Sequence, residues 1–506
     1  MVTVFFGPGG NPMAMRGIIQ GTLLTVAMRW TDRLIGLVST LVLARLLVPA
    51  DFGVIAMASL VIALADVFFD LGVYVTLIQR QNPSQDHFNT AWTMGLIQSA
   101  VAATVLFIAA PYAAIYFREP RVEDVIKVLG LSLLATGCEN VGVVNFQKEM
   151  RFGRDFLFLF SKRFSGFVVT LVAAWILRSY WALIIGTVAG RLVGVACSYW
   201  MHPMRPWLSL SKFGDIFGMS QWLLVRTAGG YLEGQLHHFV VGRRENATVM
   251  GAFAIAGDIA VMPSSELLMP INRVLFPAFV KVKEDLEELK RVFLVAQNVQ
   301  ILVALPAGAG LALVAQEAIS LMLGDKWLMA VPFVQILALS SLASAMLSGA
   351  SYLMITLGNV RALAIYSWIQ VGIFSILAFV VFPTGGALQV AWLRLAVSVV
   401  SGVIFFSMLL RVFAPLKLSD LARGLMRPAV AVGAMAGAIQ WLGAVWVPSS
   451  FLPSLIAKVI LGAVVYASVI VALWWVTGRP KGAESFLLDN FMKIWNRRKG
   501  LQRDIA

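Results

Sequence analysis

Arg29, Asp32 and Arg33 stand within one helical turn inside TVAMRWTDRLIGLVSTLVLARLL, a stretch long and apolar enough to cross a bilayer. On insertion scales each charge costs about 2.5–3.5 kcal/mol at the centre of a spanning helix, so ionisable groups there point to a task. A guanidinium keeps its charge when desolvated and can hold phosphate oxygens in a bidentate fork. A carboxylate beside it neutralises it, or exchanges a proton or cation during transport. Arg29 and Arg33 are four apart and share a helix face, with Asp32 at its edge. Either Arg29 faces an anion-binding cavity with Asp32 as counter-ion, or an Asp32–Arg29 pair staples the first helix to a neighbour. Arg33 is left undecided.

Further along, Arg226 lies in a second charged apolar stretch followed by YLEGQLHHF, which adds Glu233, His237 and His238. The histidines are adjacent, so their rings are expected on different faces and no shared metal ion is predicted. Arg191 and Arg394 are lone cations with apolar neighbours and join Arg29, Arg33 and Arg226 as candidates for a cationic cavity. Asp66 and Asp70 are four apart, Glu139 lies deep in an apolar run, and Glu266 precedes Arg273 by two turns. These acids, with Asp32, are read as coupling groups or as counter-ions. Lys127, Lys162, Arg163 and Lys458 lie near expected span ends, where long side chains reach the interface, and are read as structural. Pro263, Pro270 and Pro277 predict a kinked or broken helix. Cys138 and Cys197 read as free thiols inside apolar runs. No HExxH, P-loop or GxSxG pattern occurs, and outward loops of about a dozen residues are too short for a folded catalytic site, so neither an enzyme nor a cofactor is expected.

The elements that must position these charges are membrane helices. Of 506 residues 59% are hydrophobic and 13% charged, with a mean hydropathy of +0.83, against about 25% charged in soluble domains. The net charge of +14 is spread in short clusters between apolar runs, which suits a membrane surface and not nucleic acid. Apolar runs predict an all-α bundle of fourteen spans: 18–47, 53–78, 89–116, 124–145, 156–177, 180–200, 219–242, 251–277, 292–314, 328–357, 361–382, 387–410, 428–447 and 454–476. The two alternating sets of connections and tails carry 23 and 6 Lys/Arg, placing both termini in the cytoplasm. Shifting the chain by 198 residues pairs Arg45 with Arg243, Gly53 with Gly251, Ala56 with Ala254 and Ala58 with Ala256. Six spans separate the copies, so the halves are expected to run parallel. The domains follow: a loose tail 1–17, an N-lobe 18–218, a C-lobe 219–410 around a central cavity, accessory helices 411–476, and a basic amphipathic tail 477–506 on the inner leaflet.

LARLLVPADFGVIAMASLVIALADVFFDLGVYVTLIQR, NFQKEMRFGRDF, GAFAIAGDIAVMPSSELLMPINRVLFPAF and ISLMLGDKW occur in that order. Together they resemble the polysaccharide transporters, the Wzx-type oligosaccharide-lipid flippases of the multidrug/oligosaccharidyl-lipid/polysaccharide exporter superfamily, with exporters of the succinoglycan and colanic-acid type the nearest in look. The resemblance spans most of residues 18–410. It implies a transporter that moves undecaprenyl-diphosphate-linked oligosaccharide units across a bacterial inner membrane by alternating access, for exopolysaccharide or lipopolysaccharide synthesis. A polysaccharide polymerase and a chain-length regulator are the implied protein partners. The alternatives are a cation-coupled drug antiporter on the same fold and a membrane-embedded glycan-processing enzyme.

Overall fold

The computed structural model describes residues 12–69, 77, 78, 80, 83–214, 221–446, 450–479, 482 and 485, with side chains from Ala27 onward in the first helix and from Thr227 onward in the eighth. Every regular element among them is helical: α1 (Pro12–Leu46), α2 (Pro49–Phe69), α3 (Gln85–Phe117), α4 (Arg121–Gly137), α5 (Val144–Lys148), α6 (Phe152–Leu177), α7 (Trp181–Met201), α8 (Gln221–Arg244) and α9 (Ala247–Lys281). There follow α10 (Leu286–Leu313), α11 (Ala315–Met322), α12 (Val331–Met346), α13 (Ser348–Thr356), α14 (Val360–Ile376), α15 (Ala387–Val412), α16 (Leu418–Val445) and α17 (Phe451–Val476). Eleven stretches of described helix are long and apolar enough to cross a membrane, and a bent pair makes a twelfth if it counts as one span. The protein is thus a multi-pass membrane protein, with the count of fourteen not established. α1 and α8, which carry Arg29, Asp32, Arg33, Arg226 and Glu233, are not among the eleven, because charge lowers their hydropathy.

The structure corrects three local expectations. The span expected at 124–145 is α4 followed by a turn and α5, bent by 66°. Asn140 makes the corner: its N–H donates to the Ser198 hydroxyl at 2.9 Å, its amide to the Met204 carbonyl at 2.6 Å, and its side-chain oxygen accepts from Gly142 N–H at 2.9 Å. Side chains thereby satisfy backbone groups that the helix end leaves open. Conversely, α9 is continuous through Pro263, Pro270 and Pro277, so of the kink or break expected there the break is absent. α1 begins at Pro12, inside the stretch read as a loose tail.

The chain divides into two compact units between Gly251 and Ala252. α8, expected to open the second lobe, packs within the first: the Tyr231 hydroxyl donates to the Leu60 carbonyl, and Gly242 lies against Phe117 and Met57. In this unit α6 and α7 cross closely because small residues face one another. A Cβ on Gly166 would come within 3.0 Å of the Gly186 carbonyl oxygen, and one on Gly190 within 3.0 Å of the Lys162 carbonyl oxygen. Such approach is how membrane helices associate without a hydrophobic driving force. The segment after α7 is strapped to α3: the N–H groups of Trp207, Ser209 and Lys212 donate to Asn89, Thr93 and Thr90 side chains at 3.4, 2.9 and 3.2 Å.

In the second unit Phe279, Phe293, Leu353, Phe405, Leu409 and Phe413 form a buried core. Asp285 caps α10, accepting from Glu287 and Glu288 N–H at 3.1 and 3.0 Å. α16 and α17 are integral to this unit: Ala431, Met435, Ile439, Tyr466 and Ile470 cluster with Ala309 of α10. Lys458, read as structural, pairs with Glu317 in a buried contact that also takes the Ser454 hydroxyl.

Candidate functional site

A cavity of about 1040 Å³ opens within the first unit, walled by α1, α2, α6 and α7 with Leu129 of α4. Its charged lining is Arg29, Asp32, Asp66, Lys162, Arg163 and Arg191, four cations against two carboxylates. These groups share one level. Asp32 of α1 meets Arg163 of α6 at 2.9 Å, and Arg191 of α7 lies in the electrostatic field of Asp66 of α2 and of Glu139.

The local sequence explains why charges persist on these helices. Lys162 runs beside α7 over Gly194, where a Cβ would lie 2.7 Å from a Glu139 oxygen and 3.0 Å from Lys162 Cδ. The missing side chain leaves room for an ion pair between half-buried Lys162 and buried Glu139 at the bend after α4. Arg191 directs one guanidinium nitrogen at the Leu129 carbonyl, 2.9 Å away, and at the Ser132 hydroxyl. Both of these acceptors are neutral groups. Arg29 is exposed to the cavity and has no ion-pair partner among the described residues.

The predicted site residues therefore separate. Arg29, Asp32, Asp66 and Arg191 come together in the cavity, with Glu139 directly behind it. Asp32 neutralises Arg163, not Arg29, because α1 packs against α6 at this level. Arg33 is half-buried on α1 and is not among the cavity-lining residues. Arg394 on α15 and Glu266 on α9 are half-buried in the second unit. Arg226 stands on α8 with its side chain outside the described residues, and Asp70 lies outside them altogether. The rings of His237 and His238, expected apart, sit 4.2 Å centroid to centroid. Lys162 and Arg163, set aside as interfacial, are cavity residues. A signal for them was present: Lys162, Gly166 and Thr170 recur every four residues on α6, as do Gly186, Gly190 and Gly194 on α7.

Away from the charges the cavity changes character. Ser39, Thr40, Ser59 and Thr187 line it one to two turns further along their helices. Leu43, Phe52 and Leu183 line that end, where they belong to an apolar cluster with Leu47, Ala173, Ala174 and Ala182. From Asp32 to Leu43 is roughly 16 Å of helix. On the α6 wall the rings of Phe156 and Phe160 stack at 5.7 Å, and Phe160 stacks in turn on Phe164 outside the lining at 5.2 Å.

Comparison with known proteins agrees with this architecture. Residues 42–332 match the family described as "Polysaccharide biosynthesis protein". The lipopolysaccharide biosynthesis protein WzxC of Escherichia coli (strain K12) is 29% identical over 316 residues, 61% of this chain and 63% of that protein. The match thus spans somewhat less than two thirds of that relative. The succinoglycan biosynthesis transport protein ExoT of Rhizobium meliloti (strain 1021) is 23% identical over 307 residues, 59% of this chain and 61% of its own. Among solved structures, the lipid II flippase MurJ in an inward closed conformation superposes with a TM-score of 0.72 at 11% identity, covering 90% of this chain and 99% of that one. An inward-facing multidrug MATE transporter gives 0.56 at 16% identity, covering 76% and 95%. These last two show a shared fold. With more than half of its length matched by one family, the chain belongs to the polysaccharide biosynthesis protein family.

Proposed function

We propose that this protein translocates undecaprenyl-diphosphate-linked oligosaccharide from the cytoplasmic to the periplasmic leaflet of a bacterial inner membrane, with both termini in the cytoplasm. The observation that carries the reading is the cavity of the first unit, where Arg29, Lys162, Arg163 and Arg191 outnumber Asp32 and Asp66 inside apolar helices. An anionic headgroup repays the desolvation of such a site, while a cationic drug would meet net repulsion. The relatives in lipopolysaccharide and succinoglycan synthesis support a lipid-linked glycan as the substrate class.

In the mechanism that follows, Arg29 and the neutrally bonded Arg191 receive the diphosphate. Arg163 joins when the phosphate displaces Asp32, an exchange of one anion for another that leaves no charge buried alone. Arg226, one residue from the position that the 198-residue shift gives Arg29, stands on α8 of the first unit and is a further candidate cation, as is Arg394 of the second. Asp66, Asp70 and Glu266 are the acids available for coupling to an ion gradient. A polysaccharide polymerase and a chain-length regulator are the partners that would take the exported unit. The test is reconstitution: in inverted membrane vesicles with labelled undecaprenyl-diphosphate oligosaccharide, the label moves to the lumenal leaflet only when the protein is present. Transport of a cationic dye in place of the lipid would favour the antiporter reading.

A further inference from the structure

Hydroxyls in membrane helices ordinarily return to their own backbone, donating to the carbonyl three or four residues before. Here Thr104 donates to Ala100, Ser161 to Leu157, Thr170 to Gly166, Thr187 to Leu183, Ser375 to Val371 and Ser407 to Val403, all at 2.7–2.8 Å. Not every helical hydroxyl does so: among the described residues Ser401 of α15 makes no hydrogen bond, and on the cavity wall neither do Thr31 at the charged level or Ser39, Thr40 and Ser59 beyond it. Those last three present their hydroxyls to the cavity from regular helix, with no hydrogen bond among the described residues.

Their height in the cavity is fixed by their neighbours. On α1, Ser39 and Thr40 lie between Asp32, which meets Arg163, and Leu43 in the apolar cluster. On α2, Ser59 lies between Phe52 of that cluster and Asp66 at the charged level. The tier is therefore neutral and hydroxyl-lined, between a cationic belt and an apolar end, and roughly 10 Å beyond the belt along α1. At about 1040 Å³ the cavity reaches the upper end of the 300–1,000 Å³ usual for small-molecule sites, more room than a diphosphate alone requires.

We propose that Ser39, Thr40 and Ser59 form a subsite for the uncharged sugar ring next to the diphosphate, and that this tier sets which glycan the protein accepts. The inference rests on the translocation reading, since the belt holds the diphosphate and thereby places the first sugar in the tier. Hydroxyls serve such a ligand because each both donates and accepts, as sugar hydroxyls do. A site built to hydrogen-bond a ligand rejects one that cannot answer, since its polar groups are then left unmet.

The experiment compares two probes on purified, detergent-solubilised full-length protein: undecaprenyl diphosphate, and undecaprenyl diphosphate carrying one galactose. Wild type is expected to bind the sugar-bearing lipid about tenfold more tightly, the equivalent of one or two net hydrogen bonds. Combining Ser39→Ala, Thr40→Val and Ser59→Ala removes that preference and leaves binding of the bare lipid unchanged, which also shows that the variant is folded. Arg29→Ala weakens both lipids alike. Equal binding of the two lipids by wild type, or a preference that survives the triple substitution, overturns the sugar subsite and leaves the cationic belt standing. Failure of wild type to bind either lipid overturns both readings.

Discussion

Gly53 and Gly251 stand at one helix contact that reads the same in both directions. A Cβ on Gly53 would lie 1.8 Å from the Ala247 carbonyl oxygen, and a Cβ on Gly251 would lie 1.8 Å from that of Pro49. Pro49 and Ala247, like Gly53 and Gly251, are separated by the repeat of 198 residues, so the contact maps onto itself under the shift. Two residues that must be glycine for the same steric reason strengthen a repeat that four identities alone support thinly.

Gly53→Ala and Gly251→Ala are each expected to destabilise the protein by about 1–3 kcal/mol, because backbone atoms must move to admit the methyl group. Thermal unfolding in detergent measures this. Gly310→Ala, where a Cβ meets nothing within 4 Å, is the control and leaves the transition unchanged.

The two ion pairs of the cavity differ in kind. Arg163 and Asp32 are 56% and 58% exposed, whereas Glu139 beneath Lys162 is 9% exposed. Asp32→Asn is therefore expected to cost less than about 1 kcal/mol and to tighten binding of undecaprenyl diphosphate by freeing Arg163. Glu139→Gln leaves the half-buried Lys162 without its anion and is expected to cost more than Asp32→Asn, because Glu139 itself is buried. Unfolding transitions and lipid titrations on the two variants separate these effects. Equal destabilisation would contradict the assignment.

His202, just beyond α7, supplies a pH dependence. Burial holds its imidazole below the usual range, with Arg151, Arg154 and Arg205 acting in the same direction against Glu149. Its Nδ1 accepts from the Met204 N–H at 3.2 Å, so the neutral ring fits the fold. A folded-state value below the unfolded one means that the stabilisation is complete above the unfolded value of about 6.5 and is lost as pH falls through the folded value. A melting temperature that declines from pH 7.5 to 5 in wild type, with a shallower decline in His202→Asn, is the expected pattern. Parallel curves would remove His202 from the account.

Much of this was legible in the sequence, for identifiable reasons. Apolar runs such as 361–382 and 387–410 mark spans because a bilayer demands length and hydropathy, both local properties. The bend at Asn140 was hidden because its partners, Ser198 and Met204, are about sixty residues away in the chain. Partner choice was hidden likewise: Asp32 has Arg29 within its own turn, and only helix packing gives it to Arg163. Lys162 was misplaced because α6 begins at Phe152, four residues before the expected start, which sets that lysine deeper in the helix. Arg29 and Arg191 were identified because a charge in an apolar run is conspicuous wherever its partner lies.

The central claim is that the cationic belt binds the diphosphate, and the affinity of purified protein for undecaprenyl diphosphate tests it most directly. Arg29→Ala and Arg191→Ala are each expected to weaken binding about 10- to 100-fold, the usual worth of a hydrogen bond to a charged group. Arg178→Ala, at the end of α6 and outside the cavity, is expected to bind as wild type does. Wild-type affinity in both cavity variants, with all proteins folded, would contradict the account.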